Sequence, residues 1–211
     1  GELNPTVAGA PPITIPVVAI NAANGALLDG KIAAGLTTLT WGTGSVSTPQ
    51  STGGLISSFS SYGMAPDLTV KPDIGAPGGA IFSTIPLERG AYGSNSGTSM
   101  ASPHVAGSVA LLLQAKPKTN AEVVRGLLQN SADPKVWWGN PSLGALDNVH
   151  RQGAGMLDVV GAVTSTTSVE PSKIAAGEGQ AGSFAQLLTI ENQGSAPVTY
   201  NLSSVNAQST G

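Results

Sequence analysis

The chain has 211 residues, of which 28 are Gly and 15 Pro, and only 10% are charged, against about 25% in an ordinary soluble domain. Its formal net charge of -3 leaves no basic surface to displace counterions from a nucleic acid backbone; with no Cys and two His, disulfide scaffolds, thiol nucleophiles, Cys-ligated zinc and a three-His metal site are excluded. What remains is hydroxyl and carboxylate chemistry in a turn-rich chain, with 40% apolar residues to supply a core and a length that suits one domain plus pieces of others.

No apolar run approaches the roughly 18 residues of a membrane span. The chain starts at Gly1 with no basic and then apolar leader, which is expected of a trimmed precursor or of part of a longer protein. Ile13 to Ile20 is a short, β-branched apolar run that suits a buried strand. Asn21 is positioned to cap a weak helix through Ala22 to Leu28, ended by Gly30, and Leu36 to Trp41 alternates as a strand. Gly42 to Gly54 is almost wholly Gly, Ser, Thr, Pro and Gln, the composition of a connection, and a domain boundary is expected there.

From Leu55 to Gly97 short apolar stretches alternate with turn residues, and Ala80 to Ile85 is the best strand. A helix follows from near Thr98 or Ser102 to about Lys116, apolar nearly all round and so expected to be buried. Thr119 and Glu122 read as a capping box opening an amphipathic helix with Val123, Val124, Leu127 and Leu128 on one face. After a loop at Trp137 and Trp138, Met156 to Val163 is expected to form a last short helix. Beyond Ser168 the period changes to two: Phe184 to Ile190 and Val198 to Val205 read as a β-hairpin at the edge of an all-β unit, with too few strands to bury a core alone.

The segment that calls for a chemical reading is G-T-S-M-A-S-P-H-V-A-G, Gly97 to Gly107. It sets small residues and hydroxyls at the mouth of a helix, where free N–H groups and the positive dipole end favour an oxyanion. The same residues fit a plain N-cap at Thr98, Ser99 or Ser102, and local preference favours Ser102 because Pro103 then falls at the first helical position. A nucleophilic serine needs a base. His104 lies five residues on, about 500° around the helix and so roughly 140° away from Ser99, and reads as a packed helical His. His150, with Asn148 and Arg151 close by in a polar loop, reads as an exposed loop residue. Ser99, Asp133 or Asp147, and His150 obey the chain order of an α/β-hydrolase esterase. That fold, however, requires an apolar strand entering a G-x-S-x-G elbow, whereas Tyr92 to Thr98 is rich in Gly and Ser and the fifth elbow position is Ala101.

The eleven residues from Gly97 resemble the active-site serine motif of the subtilisin-like serine proteases. S-S-F-S-S-Y-G from Ser57, K-P-D-I-G-A-P-G from Lys71, A-I-F-S-T-I-P from Ala80 and G-A-G-M-L-D-V from Gly153 resemble the segments that surround it in that family. The resemblance implies an α/β fold: over 46–166, the C-terminal half of a subtilisin-like parallel-sheet domain. Residues 1–45 resemble the closing part of a protease-associated insert, and 167–211 the first strands of a fibronectin-like β-sandwich.

It further implies that Ser99 is the nucleophile of a serine endopeptidase, with Gly97 and Thr98 shaping its turn and Ser102, Pro103 and His104 in the helix that holds it. The Ser99 backbone N–H would be one oxyanion donor, and Asp73 a structural residue near the site. The family's catalytic Asp and His motifs and its oxyanion Asn precede the serine and are not found in this chain, so the missing N-terminal half of the catalytic domain is an expected partner. The substrate would be a protein or peptide, with no cofactor, metal, nucleic acid or membrane, and the location extracellular or at the cell wall. A catalytically incomplete binding or structural module is the alternative. Asn201-Leu202-Ser203 also reads as a glycosylation sequon.

Overall fold

The computed structural model describes residues 22–38, 52–177 and 182–209. The chain divides into two compact units, Gly1–Thr48 and Pro49–Gly211. In the first, helix α1 (Ala22–Ala34) runs through Gly30 instead of ending there. Ala33 and Ala34 are strong helix formers, and Lys31 in the last turn suits the negative dipole end. The expected Ile13–Ile20 strand, the Asn21 cap and most of the Leu36–Trp41 strand lie outside the described residues, and Leu36–Thr38 takes no strand.

In the second unit, β1 (Gly63–Met64) pairs with β2 (Val70–Lys71), β3 (Ile81–Thr84) with β4 (Tyr92–Asn95), and β5 (Thr167–Glu170) with β6 (Thr189–Asn192), each pair antiparallel. This mixture of helix and strand fits the α/β class. The expected parallel sheet is not formed among the described residues: such sheets bury both faces, and no residue of these short strands is buried. Nor do Phe184–Ile190 and Val198–Val205 form a hairpin. Thr189–Asn192 pairs with β5, setting Ile190 opposite Val169, an apolar cross-strand pair unmatched by the exposed Val198, Leu202 and Val205.

The core lies where α2 (Thr98–Ala115), α3 (Ala121–Ser131) and α5 (Val159–Thr164) meet, with Leu112, Leu128 and Ala162 buried and Ile74, Val105, Val109 and Leu157 packed around them. Only Ser108 and Leu112 of α2 are buried, and Leu111 is 55% exposed. The all-round apolar helix therefore buries one stripe, against α3 and α5, and leaves the rest open. The α3 cap is Asn120, whose side chain accepts the Glu122 N–H at 3.1 Å. This replaces the expected Thr119 capping box, Asn being among the strongest N-caps. Helix α5 starts at Val159, capped by Asp158, because Met156 is held in β-bridges to Gly75 and Asp133.

Those bridges form the tightest place in the unit. Gly153–Leu157 runs between the loop at Asp73–Gly75 and the segment at Asp133. The Gly75 N–H donates to the Gly155 carbonyl, the Leu157 N–H to the Gly75 carbonyl, and Asp133 and Met156 exchange both backbone bonds, all at 2.8 Å. Gly153 (φ +61°) and Gly155 (φ +126°) occupy backbone regions that favour glycine. A Cβ at either would lie 2.5 Å from backbone atoms of Asp73 or Asp133.

Beside this crossing, the short helix α4 (Val149–Gln152) delivers Arg151, 2% exposed, to Asp147, 1% exposed, at 3.3 Å. Arg151 Nη2 also donates to the Ser57 carbonyl at 2.7 Å, and the Ser60 hydroxyl donates to the Arg151 carbonyl at 2.9 Å. The rings of Tyr62 and Trp138 lie 5.2 and 5.9 Å from the guanidinium carbon. The S-S-F-S-S-Y-G segment is thus fastened to α4 through Arg151, by its buried guanidinium and its main-chain carbonyl. Removing one partner of a buried pair leaves the other charge uncompensated. Arg151→Met is expected to cost about 3–5 kcal/mol in urea unfolding, and the double variant Arg151→Met/Asp147→Leu to recover much of it. Equal losses in the single and double variants would contradict the pairing.

Candidate active site

Strand β4 leads through Ser96 into Gly97, the N-cap of α2, which makes Thr98 and Ser99 the first two helical residues. Gly97 has no side chain to cap with, and none of the Thr98, Ser99 or Ser102 hydroxyls caps the helix. The N–H groups of Thr98 and Ser99 accordingly have no partner among the described residues, and they sit at the positive end of an 18-residue helix. The helix begins five residues ahead of the start favoured by local preference, leaving Pro103 inside it. The cause is tertiary: the Gly97 N–H donates to the Gly78 carbonyl at 2.8 Å, which fixes the turn there. Pro103 supplies no N–H, so the Ser99 carbonyl loses its usual helical donor.

Ser99 is exposed, its hydroxyl makes no hydrogen bond to a described residue, and it borders a cavity of about 370 Å³ with Phe82, Ile85, Met100 and His104. Across the same helix end, a cavity of about 620 Å³ is bordered by Ile56, Phe59, Thr98, Val105 and Met156. The N-terminus of α2 therefore stands between two partly apolar hollows, with Ser99 on one and Thr98 on the other.

His104 is exposed, not packed, and borders the Ser99 cavity. Helical side chains lean back toward the N-terminus, and its Nδ1 lies 2.9 Å from the Met100 carbonyl oxygen. No hydrogen bond joins it to Ser99. His150 is half-buried in α4, not in an exposed loop, because Asn148 caps that turn by accepting the His150 N–H at 2.7 Å. The His150 Nδ1 is buried without a protein partner. Asp147 is committed to Arg151 and Asp133 to Lys135, so the esterase-order set of Ser99, His150 and either aspartate is not linked by hydrogen bonds. A strand, β4, does precede the serine in this Gly- and Ser-rich segment, since pairing with β3 imposes it on Tyr-Gly-Ser-Asn. It is one arm of an antiparallel hairpin, not the strand of a parallel-sheet elbow.

Asp73 anchors the loop that reaches the serine turn. Its carboxylate takes the ammonium of Lys173 at 2.7 Å and that of Lys71, and its carbonyl accepts from Gln129 Nε2 at 3.1 Å and the Ala154 N–H at 3.2 Å. Partial burial pushes the carboxyl up, and the two lysines, Lys173 foremost, more than offset this and hold it below the ordinary Asp range. Ser96 and Gly78 connect this loop to the serine turn; Gly78 closes the K-P-D-I-G-A-P-G segment, but neither bond has a local signal in the sequence, because the partners lie 16 and 19 residues away.

The profile of the subtilase family matches residues 5–162: the chain belongs to the subtilase family. It is 34% identical to the minor extracellular protease Vpr of Bacillus subtilis (strain 168), over 96% of this chain and 25% of that protein. It is 38% identical to pyrolysin of Pyrococcus furiosus, over 49% of this chain and 8% of that protein. Fervidolysin from Fervidobacterium pennivorans, a keratinolytic enzyme related to subtilisin, matches at 35% identity and a TM-score of 0.36, over 44% of this chain and 15% of that one. The chain spans about a quarter of the length of its Bacillus relative.

A carboxyl depressed in the folded state contributes stability that is present above the unfolded Asp pKa of about 3.9 and lost as pH falls through its folded value. Asp73→Asn is therefore expected to lower the urea midpoint at neutral pH, with the deficit shrinking as pH falls below about 4. A deficit that stayed constant across that range would contradict the two-lysine environment.

Proposed function

We propose that this chain carries the nucleophile of a secreted serine endopeptidase. Ser99 Oγ attacks the scissile carbonyl, the new C–O bond forming as a His imidazole takes the hydroxyl proton. The C–N bond then breaks, the imidazolium gives its proton to the leaving amine, and water hydrolyses the acyl-serine by the reverse proton path. The observation that carries this proposal is the placement of Ser99: an exposed hydroxyl at the second residue of α2, bordering a cavity, with the free N–H groups of Thr98 and Ser99 beside it. Those N–H groups are suited to receive the oxyanion. Family membership and relatives named as proteases favour the same chemistry.

The base and its Asp are assigned to sequence outside this chain. In support, neither His104 nor His150 hydrogen-bonds Ser99, and much of the apolar surface of α2 is open for a further segment. Residues 1–45 are assigned to the end of a protease-associated insert, 46–166 to the serine-bearing half of the peptidase domain, and 167–211 to the first strands of a fibronectin-like domain. The substrate is a protein or peptide. That the Bacillus relative is an extracellular protease favours secretion.

A fluorophosphonate probe tests the assignment. The longer protease is expected to be labelled at Ser99, located by mass spectrometry, and Ser99→Ala to lose labelling and at least about 10³-fold in kcat/KM. The isolated 211-residue chain is expected to remain unlabelled. Rapid labelling of that chain alone, abolished by His104→Ala or His150→Ala, would overturn the external base.

A further inference from the structure

We propose that Ser96 is a positioning residue for the nucleophile: its hydroxyl ties the end of β4 to Ala80 and fixes the turn from Gly97 to Ser99. The proposal rests on Ser99 being the nucleophile. In the β3–β4 pair the register ends at Ile81 opposite Asn95, so the next pair outward would be Ala80 opposite Ser96. Backbone pairing stops there because Ala80 has φ +52°, a left-handed conformation costly for any residue with a Cβ. That conformation turns the Ala80 N–H, which at this non-hydrogen-bonded position of the ladder would face away from β4, to the Ser96 side-chain oxygen at 2.8 Å.

One residue further, the Gly97 N–H donates to the Gly78 carbonyl at 2.8 Å. These are the two hydrogen bonds by which residues 96–99 are tied to another segment among the described residues. The approach is close: a Cβ on Gly78 would lie 2.8 Å from the Gly97 carbonyl oxygen and 3.2 Å from the Ala101 Cβ. Gly97 bears no side chain and Thr98 makes no tertiary hydrogen bond, so the direction in which Ser99 leaves the turn depends on this pair of bonds. The Gly78–Gly97 bond alone is a single pivot. The Ser96–Ala80 bond adds a second fixed point and removes rotation about the first. Small misplacements of a nucleophile are expensive in rate.

The test uses the active protease that contains this chain, with active sites titrated so that rates are read per functional site. Ser96→Ala is expected to slow fluorophosphonate acylation and kcat about three- to tenfold per site, the range of one hydrogen bond, with KM within about twofold. Ser96→Thr, which keeps the hydroxyl, is expected to restore the rate to within about twofold. Ala80→Gly relaxes the left-handed residue, and in that background the Ser96→Ala penalty is expected to fall below about twofold. That double variant also serves if Ser96→Ala alone does not accumulate folded. An unchanged per-site rate in Ser96→Ala, failed rescue by Thr, or an undiminished penalty in the Ala80→Gly background overturns the positioning role. Labelling that persists in Ser99→Ala instead overturns the nucleophile assignment, and the proposal built on it.

Discussion

Three backbones meet where Gly153–Leu157 passes between Asp73–Gly75 and Asp133, and their separation sets much else in the Pro49–Gly211 unit. They approach so closely that a Cβ at Gly153 or Gly155 would overlap main-chain atoms. Much of the bonding there is between main chains, at 2.8 Å for the shortest contacts. Such a junction is stiff because no rotamer change can relieve it, and it is placed beside the core of Leu112, Leu128 and Ala162. On one side it brings Leu157 and Ile74 against that core. On the other it fixes the start of the loop that continues through Gly78 to the serine turn.

Polar side chains complete the frame. Arg151, two residues before Gly153, is buried with Asp147 and holds Ser57, Ser60 and Tyr62. Asp73, two residues before Gly75, gathers Lys71, Lys173 and Gln129. These charges are matched near the crossing, and the hydroxyl of Ser99 is left without a partner among the described residues. In the nucleophilic role proposed for Ser99, rigid surroundings and an uncommitted oxygen would let it bind a base and a substrate carbonyl without first breaking bonds.

The parts legible in the sequence were those whose cause is local. The apolar run of α2, the β-branched Ala80–Ile85 and the stripe of α3 gave their elements, and the eleven-residue serine motif gave the family. Boundaries moved wherever a distant segment decided them. Gly78 pulled the start of α2 back to Thr98, the bridges of Met156 delayed α5, and β3 made a strand of Tyr92–Asn95. His104 and His150 differ from the sequence expectation for related reasons. Helical side chains lean toward the N-terminus, which takes His104 to the cavity beside Ser99, and the cap at Asn148 turns the loop at His150 into a short helix. The Asp147–Arg151 pair had one local signal, a spacing of four residues. Its partners at Ser57 and Tyr62 lie about ninety residues away.

Native-state hydrogen exchange tests most directly whether the crossing holds the serine turn. If it does, the amides of Gly75, Met156, Leu157 and Gly97 open together, with exchange free energies within about 1 kcal/mol of one another and at the top of the unit's range. A Gly97 amide that exchanges through a local opening several kcal/mol below that of Met156 would show that the turn bearing Ser99 is held independently of the frame.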